Sequence, residues 1–350
     1  MTTRSQTDTH KPKKSKRSDR GPSVSLKTLA DHTGLSTWTV SLALKNDARV
    51  APRTRDRVLA VAGSMGYEPH AAGRALATGR THLIGFMNDG TLATSYWNIE
   101  ILSGLAQCLE EFRYRITIFE SEPWEAVHCD ALRRRMVDGL ALSVRFDPRF
   151  LTNLTEHAVP VVAVDPIIEV RCDRVEFDER QGIGLAMQHL FGLGHRRIAY
   201  IGSNSQRAEL IHQRRWTAFV EEMSAAGLPS NAGGASIGDP GVLLARALEV
   251  HKPTALVCFS DDIAAHVLQE LAARQVRVPS DLSVVGIDDA QFATLLTPRL
   301  TTVRVPFVEM GVAAGRALME RLDDPTFEAR EVVLPGELMV RASTAPVSGT

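Results

Sequence analysis

The sequence lacks any apolar run long enough to cross a membrane, and it lacks closely spaced cysteines. No stretch approaches the roughly 18 consecutive apolar residues that a membrane-spanning helix requires. The N-terminal segment is polar and basic and lacks the apolar run of a secretory signal peptide, so we do not expect it to be one. The four cysteines are scattered and form no C-x-x-C pair, which argues against a disulfide scaffold and a zinc ribbon. We therefore expect a protein of the reducing cytoplasm with no membrane partner.

Signature motifs of common enzymes are absent as well. The chain contains no G-x-S-x-G, no H-E-x-x-H and no G-x-x-x-x-G-K-[ST]. Gly182-x-Gly184 begins the nearest approach to a dinucleotide fingerprint, but it follows an acidic loop (178–181), and Met187 stands in place of the third glycine. The eleven histidines form no group with metal-ligand spacing. We therefore expect no enzyme, no cofactor and no bound metal, and we favour a binding protein.

Charge is unevenly distributed, although the formal net charge is only −1. Residues 1–80 carry 15 Lys/Arg against 6 Asp/Glu, whereas residues 81–350 carry 25 against 35. A basic head on an acidic body indicates that the head meets a polyanion such as nucleic acid. A solubilising tail would explain the same charge, so composition alone leaves both interpretations open.

Composition also divides the chain, whose 350 residues and 44% hydrophobic content allow two or three domains with buried cores. The N-terminal tail is too polar to fold alone, and the Ala-rich hinge is too short for a stable isolated helix. The predicted segments are a disordered basic tail (1–23), a three-helix domain (24–68), a hinge (69–81), a body (82–342) and a flexible tail (343–350).

The second helix of the three-helix domain lies within the stretch GLSTWTVSLALKND (34–47). Ser25 and Ser36 are candidate N-caps of the first and second helices, and Pro52 suits the first turn of the third. Gly34 allows a left-handed turn between the first two helices. The core positions of the second helix, Val40 among them, are predicted to face inward. That leaves an outward face of Thr37, Trp38, Ser41, Leu42 and Lys45, which either packs against another element or reads a major groove.

Beyond residue 81, short apolar runs alternate with helix-length patterns. Examples are LIGFM (83–87) and TALVCF (254–259), with IEILSGLAQCLEEF (99–112) as a helical pattern. Continuous apolar strands alternating with helices predict parallel sheets covered on both faces. There are more runs than one small sheet needs, so we predict two doubly wound α/β lobes with a cleft between them.

A resemblance to the LacI–GalR family of bacterial transcription regulators runs through residues 25 to about 342. It is carried in the head by the almost gap-free run 25–85, from SLKTLADHTGLSTWTVSLALKND to THLIG. The body carries it in HLFGLGHRRIAYIG (189–202), VPSDLSVVGIDD (278–289) and PRLTTVRVP (298–306). The resemblance implies an all-α helix-turn-helix head joined to a two-lobed effector domain like periplasmic sugar-binding proteins.

DNA contacts follow from that resemblance. Positions matching Thr37, Trp38 and Leu42 face base edges in the family, and the position matching Leu76 inserts into the minor groove as an apolar wedge. Leu76 could instead be a simple linker residue. The predicted DNA-binding residues are Ser25, Lys27, Thr37, Trp38, Thr39, Ser41, Leu42, Lys45, Arg53, Arg55, Tyr67, Arg74 and Leu76.

Leu42 departs from the commonest family pattern, in which an arginine stands at this position. An arginine would bind guanine through two hydrogen bonds, worth roughly 1–3 kcal/mol of discrimination. Leucine can only contact a thymine methyl, so we expect a preference for T·A-containing steps under this helix.

The effector site implied by the resemblance lies between the lobes. Arg215 matches the arginine that clamps ligand oxygens, although a surface salt bridge is the alternative. Asp261 and Asp288 match acceptors of sugar hydroxyls, although each could instead cap a helix. Trp97 could stack on a sugar or pack under its loop. The predicted effector-binding residues are Asp89, Tyr96, Trp97, Arg215, Ser260, Asp261 and Asp288.

These expectations combine into one function. We expect a dimeric, nucleoid-associated transcription regulator, a repressor, that binds a palindromic double-stranded DNA operator and is controlled by a small polar effector, a sugar. The C-terminal sequence has no leucine heptad, so a dimer is expected rather than a tetramer. The alternative is a soluble sugar-binding receptor or enzyme whose basic head tethers it to nucleic acid without sequence preference.

Overall fold

The computed structural model describes residues 24–44, 46–67, 79–88, 95–120, 136–143, 159–166, 171–203, 209–229, 239–324 and 328–347. The chain divides into two units, Met1–Gly79 and Arg80–Thr350. We call the first the head and the second the body. The predicted basic tail (1–23) and most of the predicted hinge lie outside the described residues.

The head contains three helices, α1 (Leu26–Thr33), α2 (Thr37–Leu44) and α3 (Pro52–Ser64). Their predicted starts are confirmed. The Ser25 hydroxyl accepts from the Thr28 N–H at 3.1 Å, and the Ser36 hydroxyl accepts from the Thr39 N–H at 3.1 Å. Pro52 occupies the first turn of α3. Each cap satisfies an N–H that would otherwise lack a partner, which fixes where these short helices begin.

One apolar cluster joins the three helices of the head. Leu29, Val40, Ala43 and Val58 have no exposed surface. Gly34 takes φ 67° between α1 and α2, as predicted, because a side chain would be strained in this left-handed turn. The turn sets α2 across α1 and leaves the opposite side of α2 open.

The body contains eleven described strands in two sheets. The first sheet has the order β10-β5-β4-β3-β1-β2, and the second has β11-β9-β8-β7-β6. The described chain crosses between the sheets three times, because β10 returns to the first sheet and β11 to the second. The strands are β1 (Leu83–Asn88), β2 (Arg115–Glu120), β3 (Gly139–Ser143), β4 (Val161–Val164), β5 (Asp173–Phe177), β6 (Ile198–Ile201), β7 (Ala255–Cys258), β8 (Ser283–Asp288), β9 (Thr301–Arg304), β10 (Glu331–Leu334) and β11 (Glu337–Met339).

Helices cover both sheets, which makes each sheet one lobe of an α/β domain. The described α-helices of the body are α4 (Tyr96–Glu111), α5 (Glu179–Gly192), α6 (Glu209–Ala225), α7 (Pro240–Arg246), α8 (Asp261–Ala273) and α9 (Phe307–Asp323). The predicted two-lobed fold is confirmed. None of the described helices has the length and apolar character required for a membrane span.

Three details differ from the sequence predictions. The sheets are not purely parallel, because β11 pairs antiparallel with β9 at an edge. The predicted flexible tail is wrong for residues 343–347, since the Ser343 hydroxyl donates to Val284 O at 2.6 Å and the Val347 N–H donates to Leu193 O at 3.0 Å. The last hinge residues belong to the body, because Arg80 donates to Leu322 O at 2.9 Å. These hydrogen bonds connect segments far apart in the sequence, so local composition could not predict them.

Candidate nucleic-acid interface and effector cleft

Helix α2 presents an exposed polar and aromatic face. Thr37 is exposed and Trp38 is 62% exposed, while Ser41 is half-buried. Thr39 is also half-buried, and its hydroxyl lies 2.9 Å from that of Ser36. An exposed indole on the second helix of a helix-turn-helix can reach base edges in a major groove. The predicted outward position is therefore confirmed for Thr37 and Trp38.

Leu42 does not belong to that exposed face. It is 8% exposed and lies in the core cluster of the head, so the prediction that it points outward to a thymine methyl is wrong. The loop after α2 folds back to this residue, because the Asp47 N–H donates to Leu42 O at 3.1 Å. Val50 from the same loop joins the cluster. Helical periodicity could not predict the path of this loop.

Arg49 is a neighbour of Trp38 that the sequence analysis missed. Its guanidinium lies 5.8 Å from the centre of the Trp38 ring, in the geometry of a cation–π contact. The Asp47 carboxylate holds the guanidinium through bonds of 3.0 and 2.8 Å. The pair orients a cation beside the indole. The only sequence signal was a basic residue shortly after the helix.

The other predicted DNA contacts differ in whether their side chains are exposed or are held by hydrogen bonds within the head. Lys27 and Arg53 are exposed and can reach phosphates, which position a head without reading sequence. Arg55 instead braces the loop after α2, by donating to Asn46 Oδ1 and to Val50 O. The remaining predicted residues are a helix cap (Ser25), a half-buried aromatic (Tyr67), and four that lie outside the described residues: Lys45, Arg74, Leu76 and, in the body, Asp89.

Arg215 lies in the body on α6 and is 4% exposed. Its Nε–H donates to Glu179 Oε2 at 2.6 Å, and its NH2 group donates to Glu179 Oε1 at 3.1 Å. Its NH1 group donates to the carbonyl of Phe259, over whose ring the guanidinium carbon lies at 4.8 Å. The alternative of a surface salt bridge is therefore wrong. Arg215 is a buried, fully oriented cation at the carboxyl end of β7.

Tyr96 and Asp288 join the two lobes directly. Tyr96 begins α4 in the first lobe, and its hydroxyl donates to Asp288 Oδ2 at 2.6 Å at the end of β8 in the second lobe. Asp288 Oδ1 lies 3.9 Å from Arg215 NH2. Burial raises the pKa of Asp288 to about 6, although Arg215 opposes that shift. The structure thus brings Tyr96, Arg215 and Asp288 together, as the resemblance implied.

Asp261 has a structural role instead of the predicted contact with an effector. It has no exposed surface, and its two oxygens accept from the Thr302 hydroxyl at 2.6 Å and the Ala290 N–H at 2.8 Å. These bonds tie the loop after β8 to β9, so the prediction for Asp261 is wrong. Ser260 caps α8 by accepting from the Ile263 N–H at 3.3 Å. Trp97 is half-buried against the core, which leaves both interpretations of it open.

Two carboxylates beside Arg215 escaped the sequence analysis. Glu179 opens α5 and is 5% exposed, and burial raises its pKa while Arg215 lowers it. Asp165 follows β4 and is half-buried. Burial and the charge of Glu179 raise the pKa of Asp165 to about 7. The acidic loop at 178–181 was a signal, but β5 was not predicted, so nothing placed that loop at a strand end facing the cleft.

Comparisons with known proteins bear on both units. The model of bacterial regulatory proteins of the lacI family matches residues 25–70, and a periplasmic binding protein-like domain matches residues 187–344. An uncharacterized HTH-type transcriptional regulator in the aml 5' region of Streptomyces limosus is 31% identical over 93% of this chain and 96% of its own length. The chain belongs to the LacI family of bacterial regulatory proteins.

Two further relatives of this LacI-family chain carry functional names. The ribose operon repressor of Haemophilus influenzae is 28% identical over 91% of this chain and 98% of its own. The structure of the transcriptional regulator CelR in complex with cellobiose has a TM-score of 0.66 and 28% identity, over 91% of this chain and 99% of its own. Family members are DNA-binding transcription regulators and not enzymes, so the expectation of a regulator is confirmed.

The raised pKa of Asp165 predicts how the stability of this LacI-family chain depends on pH. Because the pKa of about 7 in the folded chain exceeds the ordinary aspartate pKa of 3.8, ionisation of Asp165 costs folding free energy. Its contribution is fully present below about pH 4 and is lost as the pH rises through 7. Asp165→Asn should therefore make the urea-unfolding free energy less dependent on pH between 4 and 7.

Asp281→Asn is the matched control for that measurement. Hydrogen bonds from Arg277 lower the pKa of Asp281 to about 2, so its contribution changes only between about pH 2 and 4. Equal pH slopes for wild type and Asp165→Asn between pH 4 and 7 would contradict the prediction.

Proposed function

We propose that this LacI-family chain is a repressor that binds a palindromic operator as a homodimer and responds to a sugar held between its two lobes. The observation that carries the proposal is the exposed face of α2, where Thr37 and Trp38 face outward on a helix-turn-helix. The named relatives support it, one as an operon repressor and one as a cellobiose complex. A dimer suits a palindrome, because each subunit contacts one half-site. We place the protein in the cytoplasm, on nucleoid DNA.

Coupling between effector and operator would pass through the contacts that join the lobes. A sugar that hydrogen-bonds Asp288 competes with the Tyr96 hydroxyl for the same carboxylate. The ligand would therefore change the free-energy difference between lobe arrangements, which is the requirement for coupling two sites. We further propose that Arg74 and Leu76 of the hinge contact the operator centre, with Leu76 wedged into the minor groove.

Selection of duplexes from a random pool by the full chain, with and without a panel of sugars, tests the proposal. One enriched palindrome that one sugar weakens or strengthens would support operator, dimer and effector together. Specific binding is expected to exceed bulk DNA binding roughly 10³-fold or more. Equal affinity for all duplexes, falling steeply with salt, would instead support the tether alternative.

Trp38→Ala should reduce sequence selectivity more than it reduces general DNA affinity. Loss of one base-reading side chain costs roughly 1–3 kcal/mol of discrimination, or about fivefold to 150-fold. The measurement is the ratio of dissociation constants for the selected palindrome and a scrambled duplex at one salt concentration.

Lys27→Ala is the control for Trp38→Ala, because an exposed lysine that touches phosphate weakens both duplexes alike. It should also reduce the dependence of log affinity on log salt by about one charge. If Trp38→Ala leaves the ratio unchanged while Lys27→Ala weakens binding, Trp38 does not read bases.

A further inference from the structure

The cations beside the effector cleft are already neutralised by partners on the same chain. Arg215 is held by both oxygens of Glu179, at 2.6 and 3.1 Å. The neighbouring Arg214 donates to Glu176 Oε2 at 2.8 Å. The only lysine in residues 80–350 is Lys252, which precedes β7 at the amino end of that strand, whereas the cleft lies at the carboxyl ends. Both described arginines beside the cleft, Arg214 and Arg215, are therefore paired with carboxylates.

Carboxylates remain after those pairs are formed. Asp165 makes no side-chain hydrogen bond or ion pair within the described residues, and Asp288 is bonded through one oxygen to the neutral Tyr96 hydroxyl. Burial is the largest cause of the raised pKa of Asp165, and the negative charge of Glu179 raises it further. Among the described residues, the one buried guanidinium that stands against these carboxylates is that of Arg215. The described part of the cleft therefore carries an excess of negative charge.

Two buried polar groups near Arg215 lack hydrogen-bond partners within the described residues. They are the Tyr200 hydroxyl and His212 Nδ1, on residues 1% and 5% exposed. Their rings lie 5.8 Å apart, and the His212 ring lies 6.0 Å from that of Phe259, which underlies Arg215. Burial and Arg215 lower the pKa of His212, which favours the neutral imidazole. Such neutral donors and acceptors suit hydroxyl groups.

We propose that the effector is a polyhydroxylated molecule without a negative charge, and that Glu179 and Asp165 are the residues that exclude anionic effectors. This inference rests on the proposed function, because it names the ligand class of the same cleft. Glu179 acts by cancelling the charge that Arg215 would offer to a phosphate or carboxylate. Asp165 acts by direct repulsion in its ionised form, above its pKa of about 7, and that repulsion is strong in a partly desolvated site. Within the described residues, no three His, Cys or carboxylate side chains are placed to hold a metal ion that could carry an anion.

Calorimetry of the full chain with matched sugar sets tests the proposal. Each set shares one ring: glucose, glucosamine, glucuronate and glucose 6-phosphate, with corresponding sets for galactose and ribose, and cellobiose added. Binding should occur with neutral or amino members, and the anionic member of a binding set should bind at least about tenfold more weakly. An anionic member that binds more tightly than its neutral counterpart would overturn the proposal, and so would a panel in which nothing binds.

Two variants locate the selectivity within the chain. Asp165→Asn breaks no described ion pair. It should reduce the ratio of the dissociation constants of the anionic and neutral sugars of one set by about tenfold. Glu179→Gln should also reduce this ratio of dissociation constants, and its circular dichroism must remain native for the comparison to hold. Glu221→Gln is the matched control. Glu221 is a carboxylate on α6 that pairs with the exposed Arg180 of α5 at 3.1 Å, so its removal should leave the ratio unchanged. If Asp165→Asn leaves this ratio unchanged, Asp165 does not exclude anionic effectors.

Operator selection distinguishes this inference from the proposed function. If a palindrome is enriched and an anionic sugar releases it, the chain is an operator-binding regulator, but the inference of an uncharged effector is wrong. If no palindrome is enriched while neutral sugars bind, the inference of an uncharged effector holds, but the proposed operator-binding function is wrong.

Discussion

Arg215→Met should lower the free energy of unfolding at pH 7 by about 3–5 kcal/mol, which is typical when one member of a buried ion pair is removed. The methionine keeps most of the side-chain volume, so the loss does not come from a cavity. It comes from Glu179, which is 5% exposed and would have no cation to balance its charge. Urea unfolding of the full chain, followed by circular dichroism, measures the change.

The pH dependence of that loss identifies its cause. Burial already raises the pKa of Glu179, and Arg215 is the group that opposes the shift. Without Arg215 the pKa of Glu179 rises further, so the residue binds a proton as the pH falls and the penalty disappears. The destabilisation by Arg215→Met should therefore be largest at pH 7 to 8 and should shrink towards pH 5. A loss that does not change with pH would contradict the buried-charge explanation.

Two further variants complete the comparison. The double variant Arg215→Met, Glu179→Gln should recover part of the stability, because the unpaired charge of Glu179 is gone, whereas Asp288 still lacks the guanidinium that lies 3.9 Å from its Oδ1. Arg180→Met should change the unfolding free energy by no more than about 1 kcal/mol, since its pair with Glu221 is exposed. If Arg180→Met and Arg215→Met cost the same, burial does not determine the strength of the Arg215 pair.

Ion pairs such as this one explain why sequence patterns predicted some strands and not others. The runs at β1 and β7 were recognised because both faces of these strands are apolar. Strand β5 reads DRVEF, and its charges resemble a loop. In the fold, Asp173 is 5% exposed and accepts from Arg321 at 2.9 and 2.6 Å. The partner lies 148 residues away, so no local pattern could show that the charge is neutralised.

The candidate sites follow the same division. The resemblance located Arg215 and Asp288, and Tyr96 was located because it follows the first strand, where the mouth of the cleft was expected. The resemblance placed Asp261 in the same set, but its oxygens are occupied by groups 41 and 29 residues away. Glu179 was missed because its partner lies 36 residues away. The sequence predicts which residues stand at the ends of strands and helices. Pairing with residues far along the chain decides whether the charge of such a residue is available to a ligand.

Gly311→Ala should destabilise the body by about 3 kcal/mol, at the upper end of typical overpacking costs. A Cβ at Gly311 would lie 2.0 Å from Ile101 O and 2.7 Å from the Leu105 N, both in the backbone of α4. Backbone atoms within a helix cannot rotate away as a side chain can. The contact is reciprocal, because a Cβ at Gly104 would lie 1.9 Å from Val308 O in α9. Helices α4 and α9 would have to separate, which exposes apolar surface along both.

Gly192→Ala provides the control, because a Cβ at that helical glycine would meet no atom within 4 Å. It should be neutral or stabilising by up to about 1 kcal/mol, since alanine restricts the unfolded chain. Thermal unfolding of both variants gives the comparison, and equal melting temperatures would show that α4 and α9 can adjust.

The displacement caused by Gly311→Ala should also reach the effector site, because α4 begins with Tyr96. A shift of α4 away from α9 would move the Tyr96 hydroxyl relative to Asp288, which it now contacts at 2.6 Å. Operator affinity should then respond less to the effector, even under conditions where the variant is folded. Titration of operator binding with the selected sugar measures this. An unchanged response in a clearly destabilised variant would show that the Tyr96–Asp288 contact does not couple the lobes.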